Sequence, residues 1–175
     1  MDYTDSPLTP HLDLIFDAQS FDASQRESIC ALMGRILVRD CNTKPLCFVG
    51  TSGTGKSVLM NVIQSMLAPG SVVQASSNTS RRSGCYDLKD KELILWRSMP
   101  PDQRSWRRAM QCSNRLPMVI SSNYDPPSNM MDQIAIVRFD HIVDEPREDL
   151  SKRIIEHELA NVICTCLRAC QLPGI

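Results

Sequence analysis

Gly50-Thr51-Ser52-Gly53-Thr54-Gly55-Lys56-Ser57 is a glycine, four residues, a glycine, a lysine and a hydroxyl residue, the spacing of a phosphate-binding loop. Its flanks agree. Pro45-Leu46-Cys47-Phe48-Val49 is a short apolar run that reads as a buried strand, and Val58 to Leu67 reads as a helix. A strand, a glycine loop and a helix start together aim main-chain N–H groups at an anion, with the helix dipole behind them. Glycine lets the chain turn tightly and puts no Cβ in the way of the phosphates. Residues Gly50 to Ser57 would cradle the polyphosphate, Lys56 would reach the β- and γ-phosphates, and the Ser57 hydroxyl would ligate Mg²⁺. A fortuitous glycine-rich turn has no reason to fill every fixed position with both flanks correct. The expectation is a chain that binds a nucleoside triphosphate, or descends from one that did.

The bulk numbers exclude several classes. With 175 residues the chain can bury one sizeable core, with a small helical segment at each end. A net charge of −1 offers no global basic field, so any nucleic-acid contact has to come from a local patch. No run approaches the roughly 18–20 apolar residues of a membrane span, and the start (Met1-Asp2-Tyr3-Thr4-Asp5) is acidic, so a soluble intracellular protein is expected. The 8 cysteines show no C-x-x-C pair and read as small buried hydrophobes in a reducing compartment. His157-Glu158 lacks the second histidine of a zinc helix and reads as surface.

Along the chain, Leu12 to Gln19 reads as a short amphipathic helix with Leu12, Ile15 and Phe16 on one face. Asp22 with Gln25 forms a capping-box pattern ahead of a core-facing helix over 23–38. Further strands are expected at 72–75, 92–96, 118–123 and 134–139, and a final helix over 149–171 with Ile155, Leu159, Val162, Cys166 and Cys170 on one face. Apolar strands interleaved with helices or long crossovers imply a parallel sheet covered on both sides. The expected class is α/β, a P-loop NTPase core of about five strands over 45–140, with an N-terminal helical segment (1–44) and a C-terminal helix on the core (141–175).

The order of these signals resembles the superfamily 3 helicase domain of viral primase-helicases, the type of poxviruses, other large DNA viruses and some phages. Thr9-Pro10 with Leu12, Ile15 and Gln19 looks like that family's leading segment, and Ala31 to Leu37 like the helix before its ATPase core. Ser76-Ser77-Asn78, Gly84 and Asp90-Lys91 resemble the approach to its acidic motif. Pro117 to Asn123 resembles its sensor strand, and Asp140 to Cys170 its closing strand and helix. The resemblance implies an AAA+ fold, ATP and Mg²⁺ as ligands, Lys56 and Asn123 as catalytic residues, and single-stranded DNA as a partner. It also implies a homo-oligomer, a hexameric ring, with a primase region or partner, working at a viral replication site.

Three departures bear on activity. The third strand should end in a carboxylate that polarises the attacking water. Here Leu93-Ile94-Leu95 runs into Trp96-Arg97-Ser98-Met99, with Glu92 at the wrong end and Asp102 beyond two prolines. Where the family carries arginines before the fifth strand, Met131-Asp132-Gln133 stands, with Arg138 out of register. The stretch before the sensor strand, where the family contacts DNA, is short. A working ATPase and helicase and a nucleotide-binding relative without turnover both stay open, and a small-molecule kinase is a third class. Arg97, Arg104, Arg107, Arg108 and Arg115, with Trp96 and Trp106 among them, suit phosphates and base stacking. Arg104, Trp106, Arg107 and Arg108 are the candidate nucleic-acid residues; a solvated loop or a subunit interface are the other readings of this stretch.

Overall fold

Five short apolar runs become five strands because each is too short for a core helix and is bounded by turn residues. In the computed structural model, which describes residues 8–40, 42–76, 88–144 and 147–171, they are β1 (Leu46–Val49), β2 (Val72–Ala75), β3 (Leu93–Met99), β4 (Met118–Ser122) and β5 (Ala135–Arg138). They form one sheet in the order β2-β3-β4-β1-β5, and every neighbouring pair is parallel. The α/β class, with its five-stranded parallel sheet flanked by helices, is therefore as expected. β1 and β4 are buried along their whole length, whereas the edge strands β2 and β5 are largely half-buried. Central parallel strands are covered on both faces, which is why they read as unbroken apolar runs.

Helices α1 (Pro10–Ala18), α2 (Ala23–Leu37) and α3 (Lys56–Ser65) cover one face. There Leu46, Phe48, Leu93, Leu95 and Val119 of the sheet meet Leu12, Ile15, Ile29, Met33, Leu59 and Ile63. Cys47, Ile94, Trp96 and Ile120 point the other way and pack with α4 (Gln103–Ser113) and a 3₁₀ segment (Ser128–Gln133). Alternate strand residues thus feed two cores. The capping box at Asp22 is present in full: its carboxylate accepts from Gln25 N, and the Gln25 side chain accepts from Asp22 N.

Three expectations need correction. The arginine-rich stretch is no loop: Gln103–Ser113 is helical, with the Asp102 carboxylate accepting from Ser105 N and from the Ser105 hydroxyl. The final helix begins as α5 (Leu150–Arg153), passes through a π-helical turn (Ile154–Glu158), and continues as α6 (Leu159–Cys170). Near that turn Ile154 is buried in place of the expected Ile155, and Glu158 is buried beside Leu159, which packs against the core as expected. Glu158 is consequently not at the surface. The residue is 4 % exposed, and its carboxylate accepts from His11 N and Leu12 N, beside the His11 ring, closing the N-terminus of α1. A buried carboxylate is tolerable only when so bonded, and the open N–H groups of a helix start supply the partners. Ser77, Asn78, Gly84, Cys41 and Cys85 lie outside the described residues.

Candidate phosphate-binding site

β1 delivers the chain to the sheet edge at Val49, and the Gly50 N–H donates to Ser122 O at the end of neighbouring β4. Gly50 has φ +156°, and a Cβ there would stand 2.1 Å from Phe139 O, so only glycine fits between β1 and β5. Gly55 is the N-cap residue of α3 in the left-handed region (φ +92°), which turns the loop into the helix at Lys56. The Thr54 hydroxyl donates to Thr51 O and pins the bend from inside. The expected strand, loop and helix are thus present, with Ser57 exposed on the first turn of α3.

The Lys56 side chain folds back under this bend. Its Nζ donates to Gly50 O at 2.6 Å and to Thr51 O, and lies 3.3 Å from the Thr54 hydroxyl. Burial lowers its pKa from the usual lysine value. A partly desolvated ammonium bonded only to neutral oxygens gains most from an anion, and an entering phosphate competes directly with those carbonyls.

The loop is braced from two sides. Gln19, at the end of α1, is buried; its amide N–H₂ donates to Thr54 O at 3.1 Å and to His141 O at 2.7 Å, while its oxygen accepts from His141 N. Val143 N donates to Gly53 O, so the stretch after β5 runs alongside the loop. The part Gln19 plays was not legible; a lone amide after an apolar helix face carries no signal of its own.

Asn123 follows directly on β4, exposed, one residue beyond the carbonyl that holds Gly50 N, so the sheet brings it to the same edge as the loop. The end of β3 carries no carboxylate. The β3–β4 register shifts between Trp96 and Met99, where Ser98 has φ +56°. Arg97 lies towards α3: Nη2 donates to Asn61 Oδ1 at 2.9 Å and Gln64 Oε1 at 3.0 Å, and Nε to Gln74 Oε1 at 3.4 Å. Asp102 does not bend back to replace the missing acid, because it is committed to capping α4. Glu92 pairs with Arg39, and Arg138 pairs with Asp125 at 2.8 Å.

Mg²⁺ demands near-octahedral oxygen ligation, drawn from one or two carboxylates besides the phosphates. Ser57 offers a hydroxyl, but among the described residues no cluster of three or more His, Cys, Asp or Glu exists. Mg²⁺ bound with a nucleotide keeps several waters and needs no such all-protein cage, so the Ser57 hydroxyl is the protein ligand this edge would offer it beside the phosphates. On α4, Arg104 and Arg107 are exposed and Arg108 is half-buried. Trp106 is 0 % exposed and packs in the second core, which corrects the expectation that its ring offers bases a stacking surface.

Neither a protein-family model nor a curated protein sequence matches the chain. Solved structures do. The NrS-1 C-terminal region superposes with a TM-score of 0.67 at 11% identity, covering 98% of this chain and 48% of that one. Another structure of the same region (residues 305–718) gives 0.65 at 12% identity, covering 98% and 48%. A structure of JCV helicase gives 0.44 at 11% identity, covering 91% and 59%. The chain spans about half the length of the NrS-1 chains it matches. What they share with it is the fold: a parallel five-stranded sheet with helices on both faces.

Proposed function

We propose that the chain binds ATP at Gly50–Ser57, as a domain of the motor type found in viral replicative helicases. The observation that carries this reading is Lys56, an ammonium held under a glycine bend at the start of a helix. The resemblance to superfamily 3 helicases adds the wider assignment: Asn123 as sensor, single-stranded DNA as partner, assembly into a hexameric ring with a primase region or partner. In the full motor, ATP hydrolysis would drive translocation on single-stranded DNA and duplex unwinding.

A second reading is favoured by the end of β3. With Arg97 there and Asp102 tied to α4, no carboxylate at the end of β3 stands ready to activate water. Backbone amides and one lysine suffice to hold a triphosphate, whereas hydrolysis needs an activated nucleophile and neutralised charge in the transition state. The chain would then be a nucleotide-binding subunit that has lost turnover. ATPase rates with and without single-stranded DNA separate the two: DNA-stimulated turnover supports the motor, and binding without turnover the subunit. Both require Lys56. At a nucleotide concentration about 100 times Kd the native protein should gain roughly 2.7 kcal/mol of stability. Lys56→Ala should gain none, and equal thermal shifts in both proteins would defeat the nucleotide reading.

A further inference from the structure

Helices α2 and α6 meet main chain to main chain. A Cβ at Gly34 would stand 2.1 Å from Cys166 O and 2.9 Å from the Cys170 Cβ, whereas packed helix axes ordinarily lie about 8–10 Å apart with side chains between them. Cys30 lies one turn before Gly34 on the same face of α2, as Cys166 lies one turn before Cys170 on α6. The glycine contact sets Cys30 beside Cys166, and the Cys166 thiol donates a hydrogen bond to the Cys30 sulfur. Cys170 is engaged elsewhere, its thiol donating to Leu167 O at 3.2 Å. Cys30 also lines a cavity of about 540 Å³ between α1, α2 and α6, walled by Leu12, Asp13, Phe16, Thr165 and Ala169. The Thr165 hydroxyl is buried and finds no hydrogen-bond partner among the described residues. A roomy cavity with such a group on its wall suits a small polar guest.

We infer that Cys30 and Cys166 form a redox site: a small hydroperoxide entering the cavity oxidises Cys30, and Cys166 closes a disulfide to it. Cys30 gives up its proton and attacks one peroxide oxygen; the O–O bond breaks, and the other oxygen leaves with that proton as water or an alcohol. Cys30 is then a sulfenic acid. The Cys166 sulfur attacks it, the S–O bond breaks, and hydroxide leaves with the Cys166 proton as water. Two electrons pass from the two sulfurs to the peroxide. The order of roles follows from place and charge. Cys30 is 5 % exposed and meets the cavity, whereas Cys166 is 0 % exposed and does not line it. The hydrogen bond from Cys166 lowers the Cys30 pKa from the usual thiol value against the pull of burial; the same bond, with burial, raises that of Cys166. The thiolate is the nucleophile, so Cys30 reacts first. A disulfide needs Cα atoms about 4.4–6.8 Å apart, which two packed helices reach only at so close a contact. The site is independent of nucleotide binding.

The test adds equimolar hydrogen peroxide to the reduced full chain, then denatures it in an alkylating agent for non-reducing tryptic digestion and mass spectrometry. Peptide 27–35, which holds Cys30, should appear joined to peptide 154–168, which holds Cys164 and Cys166, with the loss of two hydrogens. Fragmentation should place the bond at Cys166, Cys164→Ser should keep it, and dithiothreitol should reverse it. Cys166→Ala should instead trap the sulfenic acid, read as a dimedone adduct on Cys30, and Cys30→Ala should leave Cys166 unmodified. In the native protein, a Cys30 still alkylatable once the exposed Cys164 is oxidised overturns the inference, as does Cys30 joined to Cys164 or Cys170. Neither result needs a variant to fold. A Cys166→Ala protein that melts like the native one and gives no adduct on Cys30 overturns it too.

Discussion

Trp106 carries its whole indole into the core beneath α4, and the ring N–H finds no hydrogen-bond partner among the described residues. The two facts predict opposite responses to two substitutions. Trp106→Ala removes a large buried ring and leaves a cavity, a loss of about 3–5 kcal/mol. Trp106→Phe keeps most of the apolar volume and deletes an unpaired donor whose burial itself costs about 1–3 kcal/mol, so it should fall well short of the alanine loss. Urea unfolding of both variants checks this; equal losses would mean that the indole N–H has a partner. Lys56 shows the same logic from the other side, since its ammonium is bonded on three sides by oxygens that carry no charge.

Helix α4 shows where sequence reading succeeds and where it stops. The strands were legible because β1, β3 and β4 lie under helices on both faces and so are apolar at nearly every position. The phosphate loop was legible because its geometry admits few residues. α4 was missed because its buried stripe amounts to Trp106 and Ala109 among arginines, and charge concealed the period. The available signal was Asp102 three residues before Ser105, a cap pattern that two prolines disguised. The final helix was read correctly at Val162 and Cys166 but not at its start, where a π turn puts Ile154 in the core ahead of Ile155, and composition does not announce such a turn. The cap makes a prediction with a pH sign. The Ser105 hydroxyl, then its N–H, holds the Asp102 carboxyl below the usual carboxylate range. The folded state therefore takes up that proton less readily than the unfolded chain, and the stabilisation is complete at neutral pH. It fades as pH falls below the unfolded value of about 4 towards the lowered folded one. Asp102→Ala should cost about 1 kcal/mol at pH 7, with the gap to the native protein narrowing under acid. A gap independent of pH would show that the charge is not what caps the helix.

All five strands run the same way, so the molecule has one edge where every strand ends, and Gly50, Asn123 and the approach to α4 share it. With a net charge of −1, binding of single-stranded DNA would depend on the few exposed arginines of α4. Arg104→Ala with Arg107→Ala should weaken binding to an oligothymidine strand and flatten its log–log salt dependence by about 0.7 for each phosphate left without its cation. An unchanged slope would place the DNA elsewhere or nowhere. No helix among the described residues is long and apolar enough to cross a membrane. The brace at Gln19 reaches further than its size suggests. One amide fastens α1, the turn before α3 and the chain leaving β5, so whatever moves the phosphate loop also tugs the first helix and the outgoing segment. The first helix is in that sense a lever already attached to the nucleotide pocket, and a shortened protein starting at β1 would arrive with the lever cut and Thr54 O stripped of its tether.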